Sequence, residues 1–211
     1  MTERIGFLGG TFDPIHRGHI EIAHFVHNQL NLNQLQLIPN HQPPHKNSTA
    51  VTAEHRLEMA RIAAAPFTEL SVNDIELNQN SPSYSVNTLR KLRKRHPDAA
   101  LFFIMGMDSF ANLSSWYRWD QLLHLCHLVV CRRPGDSVKA NSLEEQLLKQ
   151  YQSSAVAAEN FGHIICLENP HWQISSTEIR TSLACQNENI PQLDPAVEDY
   201  IRAHQLYCPV R

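Results

Sequence analysis

An α/β fold is predicted, a doubly wound parallel sheet with helices on both faces. Three observations predict it. Short apolar stretches that read as strands alternate with longer stretches whose apolar residues recur at helical spacing. The strand-like stretches run into turn-forming residues: Gly9-Gly10 after the first, Pro39 after the second, Gly106 after the clearest. The chain has 211 residues, 42% hydrophobic and 18% charged, which fits one domain over 1–211 with a small C-terminal helical subdomain from about 170 to 211.

Arg4 to Leu8 is a short apolar run, a buried strand. Gly18 to Leu30 places Ile20, Ile22, Ala23, Val26 and Leu30 on one helical face. Leu35 to Ile38 is a second strand, and residues 39 to 51 form a loop. Thr52 caps a helix that continues to about Ala65, where Pro66 ends it. Leu70 to Val72 is a short strand, and Ser85 to Arg95 a basic amphipathic helix. Leu101 to Met105 is a buried strand, followed by a helix over residues 116 to 125 and a strand from Leu128 to Cys131. Further helices are expected over 142–152 and 195–204, a strand from Ile164 to Leu167, and a helix from Ser175 or Ser176 to about Cys185. The result is a Rossmann-like arrangement with right-handed crossovers, in which ligands bind beyond the carboxyl ends of the strands.

Composition excludes several classes. The content of 3 Trp, 5 Tyr and 8 Phe rules out a disordered chain, and the net charge of -3 argues against a nucleic-acid binder. No apolar run reaches the roughly 18 residues of a membrane span, and the run ending at Gly9 is too short for a signal-peptide core, so a cytoplasmic protein is expected. The five cysteines, Cys126, Cys131, Cys166, Cys185 and Cys208, are odd in number and contain no C-x-x-C pair, which reads as reduced thiols.

Glycine is scarce, with 7 in the chain, yet Gly6, Gly9, Gly10 and Gly18 all fall within the first 18 residues. The stretch Gly9-Gly10-Thr11-Phe12-Asp13-Pro14-Ile15-His16-Arg17-Gly18-His19 directly follows the first strand. Pro14 delays the helix, which therefore starts near His16 to Gly18. A helix start presents free N–H groups and a partial positive charge, a setting for phosphate. His16 and His19 lie three apart on one face and can donate to oxygens that gain charge during transfer. Ser175, Ser176 and Thr177 mark a second helix start, with the permanent cation Arg180 one turn further in. His16, His19, His24 and His27 lack the carboxylate or cysteine that would complete a metal ligand set, so no protein-bound metal is expected.

G-G-T-F-D-P-I-H-R-G-H resembles the signature of the nucleotidyltransferase superfamily marked by H-x-G-H or T-x-G-H. Ile174 to Arg180 matches that superfamily's I-S-S-T-x-x-R. The chain is most similar to the bacterial nicotinate-nucleotide adenylyltransferases, and the resemblance covers nearly all of it. Pro39-Asn40 with Pro43-Pro44-His45-Lys46 is similar to that family's I-P-N-x-x-P-P-H-K, and Ser83-Tyr84-Ser85 to its P-S-Y-T, with Ser for the commoner Thr. Gly106 to Ser109, Trp116-Tyr117, the Arg132-Arg133-Pro134-Gly135 turn and the tail with Val197, Tyr200, Ile201, Leu206 and Tyr207 resemble further family elements.

The resemblance implies adenylyl transfer from ATP to nicotinate mononucleotide, giving nicotinate adenine dinucleotide and pyrophosphate. It implies His16, His19 and Arg180 as catalytic residues. It implies Gly9, Gly10, Thr11, Phe12, Gly18, Ser175, Ser176, Thr177 and Arg180 as the ATP site. It implies Asn40, His45, Lys46, Ser83, Tyr84, Ser85, Asp108, Trp116 and Tyr117 as the mononucleotide site. Trp116 would stack on the pyridine ring, and backbone amides of Ser85 and Tyr117 would hold the carboxylate. Asp108 binds a ribose hydroxyl or caps a helix; His45 and Lys46 contact phosphate or sit on a surface loop. Mg²⁺ would enter on the ATP phosphates, and the protein would be a monomer or a small homo-oligomer. Rival readings are a different acceptor, such as nicotinamide mononucleotide or phosphopantetheine, and a non-catalytic dinucleotide-binding module. The first loop lacks G-x-G-x-x-G, which weakens the last.

Overall fold

A computed structural model describes residues 2–41, 49–77, 83–132, 135–153, 159–169, 174–186 and 189–208. Its centre is a parallel sheet of six strands: β1 (Arg4–Gly10), β2 (Gln34–Pro39), β3 (Leu70–Val72), β4 (Ala100–Gly106), β5 (His127–Arg132) and β6 (Ile164–Glu168), in the order β3-β2-β1-β4-β5-β6. Helices α1 (Arg17–Leu30), α2 (Ala53–Ala64), α3 (Ser85–Arg95), α4 (Met107–Phe110), α5 (Leu143–Tyr151), α6 (Ser176–Ala184) and α7 (Pro195–Ala203) surround it.

The strands are apolar on both faces because both are covered. In β4, Ala100, Phe102 and Ile104 join the cluster that also contains residues of α1, α2, α6 and α7. Leu101, Phe103 and Met105 alternate to the other cluster, with Val86, Leu89 and Leu92 of α3 and Leu147 of α5. The period-2 alternation of the strand thus meets the 3.6-residue stripe of a helix on each side. Cys126 and Cys131 are fillers of these clusters, and burial pushes both thiols up to about 12.

Helix boundaries follow local chemistry. The Thr52 side chain accepts from the His55 amide at the start of α2, and the Ser142 side chain from the Glu145 amide at the start of α5. Asp194 caps α7, whose first residue is Pro195. β3 and α3 coincide with the sequence expectation.

Two expectations need correction. No single helix spans 116–125: two 3-10 helices, Leu113–Ser115 and Trp119–His124, take its place. Arg118 between them is left-handed at φ 52, a conformation that ends a right-handed helix. β2 also continues through Pro39; its missing N–H removes no sheet bond that a terminal residue must make, and Asn40 N donates to Gly10 O just beyond it.

Strand order reverses beside β1. α1 leads from β1 to β2 on one side, while α3 leads into β4 on the other. The loops leaving β1 and β4 therefore diverge, and a cleft opens at their carboxyl ends.

Candidate active site

That cleft has a volume of about 1050 Å³. Gly9, Gly10 and Thr11 of the first loop form one wall, together with His19 of α1. A Cβ at Gly10 would lie 2.6 Å from the ring of Phe12, whose backbone turns back at φ 50, so a side chain there would force that buried ring to shift. His16 is the N-cap of α1, with extended backbone, and only 8% of its surface is exposed. Gly18 keeps space for it, since a Cβ there would meet the His16 ring at 3.3 Å.

The two imidazoles are stacked, with centroids 3.7 Å apart and planes 26° from parallel. His16 N donates to His19 Nδ1 at 3.2 Å. A neutral His19 therefore carries its proton on Nε2. The Phe12 ring meets the His19 ring edge-on at 5.0 Å. Burial pushes the His16 imidazole down to about 4, so it is neutral at physiological pH, and its buried Nδ1 has no hydrogen-bond partner among the described residues.

Asp13 holds the loop between these histidines and β1. Its Oδ1 accepts from Tyr207 Oη at 2.8 Å and its Oδ2 from Ala50 N at 2.9 Å. Its carbonyl accepts from Arg180 Nη1 at 2.7 Å. Burial and the Asp13 carboxylate push the Tyr207 phenol up, which keeps it a donor. Ser176 Oγ donates to Pro14 O at 3.3 Å, so α6 docks on the same loop. Arg56, with no exposed surface, donates to Thr11 O at 2.7 Å and to His41 O at 3.0 Å.

The other end of the cleft is the start of α3. Ser85 and Val86 are its first residues and line the cleft, and first-turn amides have no intrahelical acceptor. Ser83 Oγ accepts from His41 N at 3.0 Å. Thr88 Oγ1 donates to the buried Glu76 at 2.7 Å; burial raises that carboxyl above its ordinary range. Trp116 lies edge-on to Phe103 with centroids 6.4 Å apart, and Tyr117 packs against Tyr84 at 4.7 Å. Asp108 lies in the first turn of α4, and its Oδ1 occupies the space a Cβ at Gly106 would need. The arrangement combines a histidine end with an aromatic end at the start of a helix.

The model of the cytidylyltransferase-like family matches residues 7–182. A curated relative from Shewanella frigidimarina, named "probable nicotinate-nucleotide adenylyltransferase", is 48% identical over 210 residues, 97% of this chain and 99% of its own. The chain belongs to the nicotinate-nucleotide adenylyltransferase family. A second relative of that name, from Shewanella woodyi, is 43% identical and covers 97% of this chain and 99% of its own. Among solved structures, Plasmodium falciparum nicotinic acid mononucleotide adenylyltransferase complexed with NaAD aligns with a TM-score of 0.73, 22% identity and 97% coverage of each chain. That last likeness is one of fold.

Of the residues that the family resemblance singled out, the cleft gathers Gly9, Gly10, Thr11, His19, Asn40, Ser83, Tyr84, Ser85, Asp108, Trp116 and Tyr117. Phe12, His16 and Gly18 stand behind that wall rather than on it. Thr177 and Arg180 line a neighbouring groove with His55 and Tyr207, while Ser175 and Ser176 line neither. His45 and Lys46 lie outside the described residues. Sequence reading missed Arg56, Glu76 and Asp13 with its partner Tyr207. A signal existed for Arg56. It falls on the buried stripe of α2 with Ala53, Leu57, Ala60 and Ala64, where an apolar residue is expected.

Proposed function

We infer that this chain is an enzyme that transfers the adenylyl group of ATP to nicotinate mononucleotide, releasing pyrophosphate and forming nicotinate adenine dinucleotide. The observation that carries this reading is 48% identity, over nearly the full length of both chains, to a nicotinate-nucleotide adenylyltransferase. An oxygen of the mononucleotide phosphate attacks the α-phosphorus of ATP in line. The new P–O bond forms as the bond to the β-phosphate oxygen breaks, and that electron pair leaves with pyrophosphate. The attacking oxygen is already anionic, so the protein supplies position and charge stabilisation rather than a nucleophile.

His16 and His19 are assigned to the α-phosphate. Their support is the shared helix start, the stacked rings and the proton on His19 Nε2. His16 acts as a neutral donor. Ser175, Ser176, Thr177 and Arg180 are assigned to the leaving β- and γ-phosphates; Arg180 would exchange the Asp13 carbonyl for charged oxygens, which are stronger acceptors. Gly9, Gly10, Thr11, Phe12 and Gly18 shape the ATP side. Trp116 stacks on the pyridine ring, and amides at Ser85 and Tyr117 receive its carboxylate, with Asn40, His45, Lys46, Ser83, Tyr84 and Asp108 along the mononucleotide. Among the described residues no three His, Cys, Asp or Glu side chains converge. Mg²⁺ arriving with ATP would be held by phosphate oxygens and would neutralise their charge.

The test is pyrophosphate release with ATP and Mg²⁺, comparing nicotinate and nicotinamide mononucleotides. A strong preference for the acid is expected. Equal use of both would remove the carboxylate role from Ser85 and Tyr117, and silence with both would overturn the reaction.

A further inference from the structure

Arg56 is a charged side chain with no exposed surface, on the apolar stripe of α2. Taking a guanidinium out of water carries a large desolvation cost, and an apolar residue of similar volume would fill the same space without it. The position is not built as an ion pair. Among the described residues no carboxylate lies within salt-bridge distance of Arg56, and its Nε has no acceptor. Asp13 and, more weakly, Glu54 and Glu76 favour its charge from further away. What the fork does reach are two backbone carbonyls. Thr11 O belongs to the loop after β1 and His41 O to the loop after β2.

Each carbonyl leads to one end of the cleft. From Thr11 the chain runs through Asp13 to the His16 cap. At His41 the amide donates to Ser83 Oγ, two residues before α3 begins. Arg56 therefore joins two loops whose separation sets how far the histidines lie from the first turn of α3. Its planar fork fixes two directions at once, which a lysine ammonium on a flexible stem does not.

We propose that Arg56 is a positioning residue of the transfer reaction: by holding the Thr11 and His41 carbonyls it keeps the histidine end and the α3 end of the cleft at a working distance. The proposal rests on the adenylyl-transfer reading. It predicts that Arg56 acts on the rate through His19 and not by touching substrate. Small displacements of a reacting group cost rate steeply, up to about 100-fold for about 1 Å.

The experiment uses the full-length enzyme and the variants Arg56→Lys, Arg56→Met, His19→Ala and the double variant Arg56→Lys/His19→Ala. Kinetics are measured well below the melting temperature, with amide hydrogen exchange followed over residues 11–16. Arg56→Lys is expected to lose about tenfold or more in kcat with less than about a twofold change in KM for either substrate, to exchange faster over 11–16, and to cost little extra in the His19→Ala background. Arg56→Met is expected to be slower still. A folded Arg56→Lys enzyme with wild-type kcat, or a loss fully additive with His19→Ala, would overturn the proposal. Should Arg56→Met not fold, Arg56→Lys alone decides. A wild-type enzyme silent toward nicotinate mononucleotide would overturn the reaction reading instead. Hydrogen exchange over 11–16 would then decide the clamp separately, with unchanged protection in Arg56→Lys counting against it.

Discussion

The starts of α1 and α6 look alike in the sequence and differ in the structure. Both follow the sheet, both open with residues suited to phosphate, and both place a donor one turn in, His19 in one and Arg180 in the other. At α1 the donor stands on the cleft wall. At α6 the donors are already engaged, Ser176 on the Pro14 carbonyl and Arg180 on the Asp13 carbonyl and Thr177 Oγ1. A helix start is a potential anion site, and what neighbouring carbonyls take from it decides how much is left for a ligand. In this protein α6 braces the loop that α1 uses.

That contrast can be broken at its stronger end first. His19→Ala is expected to lower kcat/KM about 100- to 1000-fold, roughly 3–4 kcal/mol, while circular dichroism and the melting temperature stay near wild type. Wild-type rates from a folded variant would remove His19 from the chemistry.

The acid limb of stability tests the companion histidine. Burial holds His16 at about 4 against an ordinary 6.5, so the folded state resists a proton that the unfolded state accepts. Its contribution is present above about pH 6.5 and is lost as pH falls toward 4, by up to about 3 kcal/mol. His16→Gln should flatten that part of the pH–stability curve measured by urea unfolding. An unchanged slope would mean that His16 is not held neutral.

Arg180→Ala sharpens the comparison. If its guanidinium moves from the Asp13 carbonyl to the leaving phosphates, kcat/KM for ATP should fall about 10- to 100-fold and product inhibition by pyrophosphate should weaken. A lowered melting temperature with unchanged pyrophosphate inhibition would make Arg180 a brace only. The smallest effect is expected for Ser176→Ala, which loses one partly buried hydrogen bond to Pro14. It should cost about 1 kcal/mol, or about 2–4 °C by thermal melting.

Much of the fold was legible because local and periodic signals agree. The apolar alternation of Leu101 to Met105, the Thr52 and Ser142 caps, and the stripe of α3 are all short-range features. The helix expected over 116–125 failed at Arg118, whose left-handed backbone carries no composition signal. The candidate site divides the same way. Gly10 and Asp108 beside strand ends, and Ser85 at a helix start, reach the cleft as their position in the chain suggests. The braces were invisible because their partners are remote. Asp13 meets Tyr207 across 194 residues, and Arg56 meets Thr11 across 45. Only the mismatch between a charged residue and an apolar stripe could have pointed to Arg56.

The bond between Asp13 and Tyr207 also orders events in time. Tyr207 lies 194 residues after Asp13, so its hydroxyl is synthesised long after the carboxylate that it props. A chain stopped before Tyr207 would hold all six strands and still lack the prop under its histidine loop. The sheet and the prop of the histidine loop are thus encoded in separate stretches of the chain, and the geometry of the loop depends on a residue beyond the last strand.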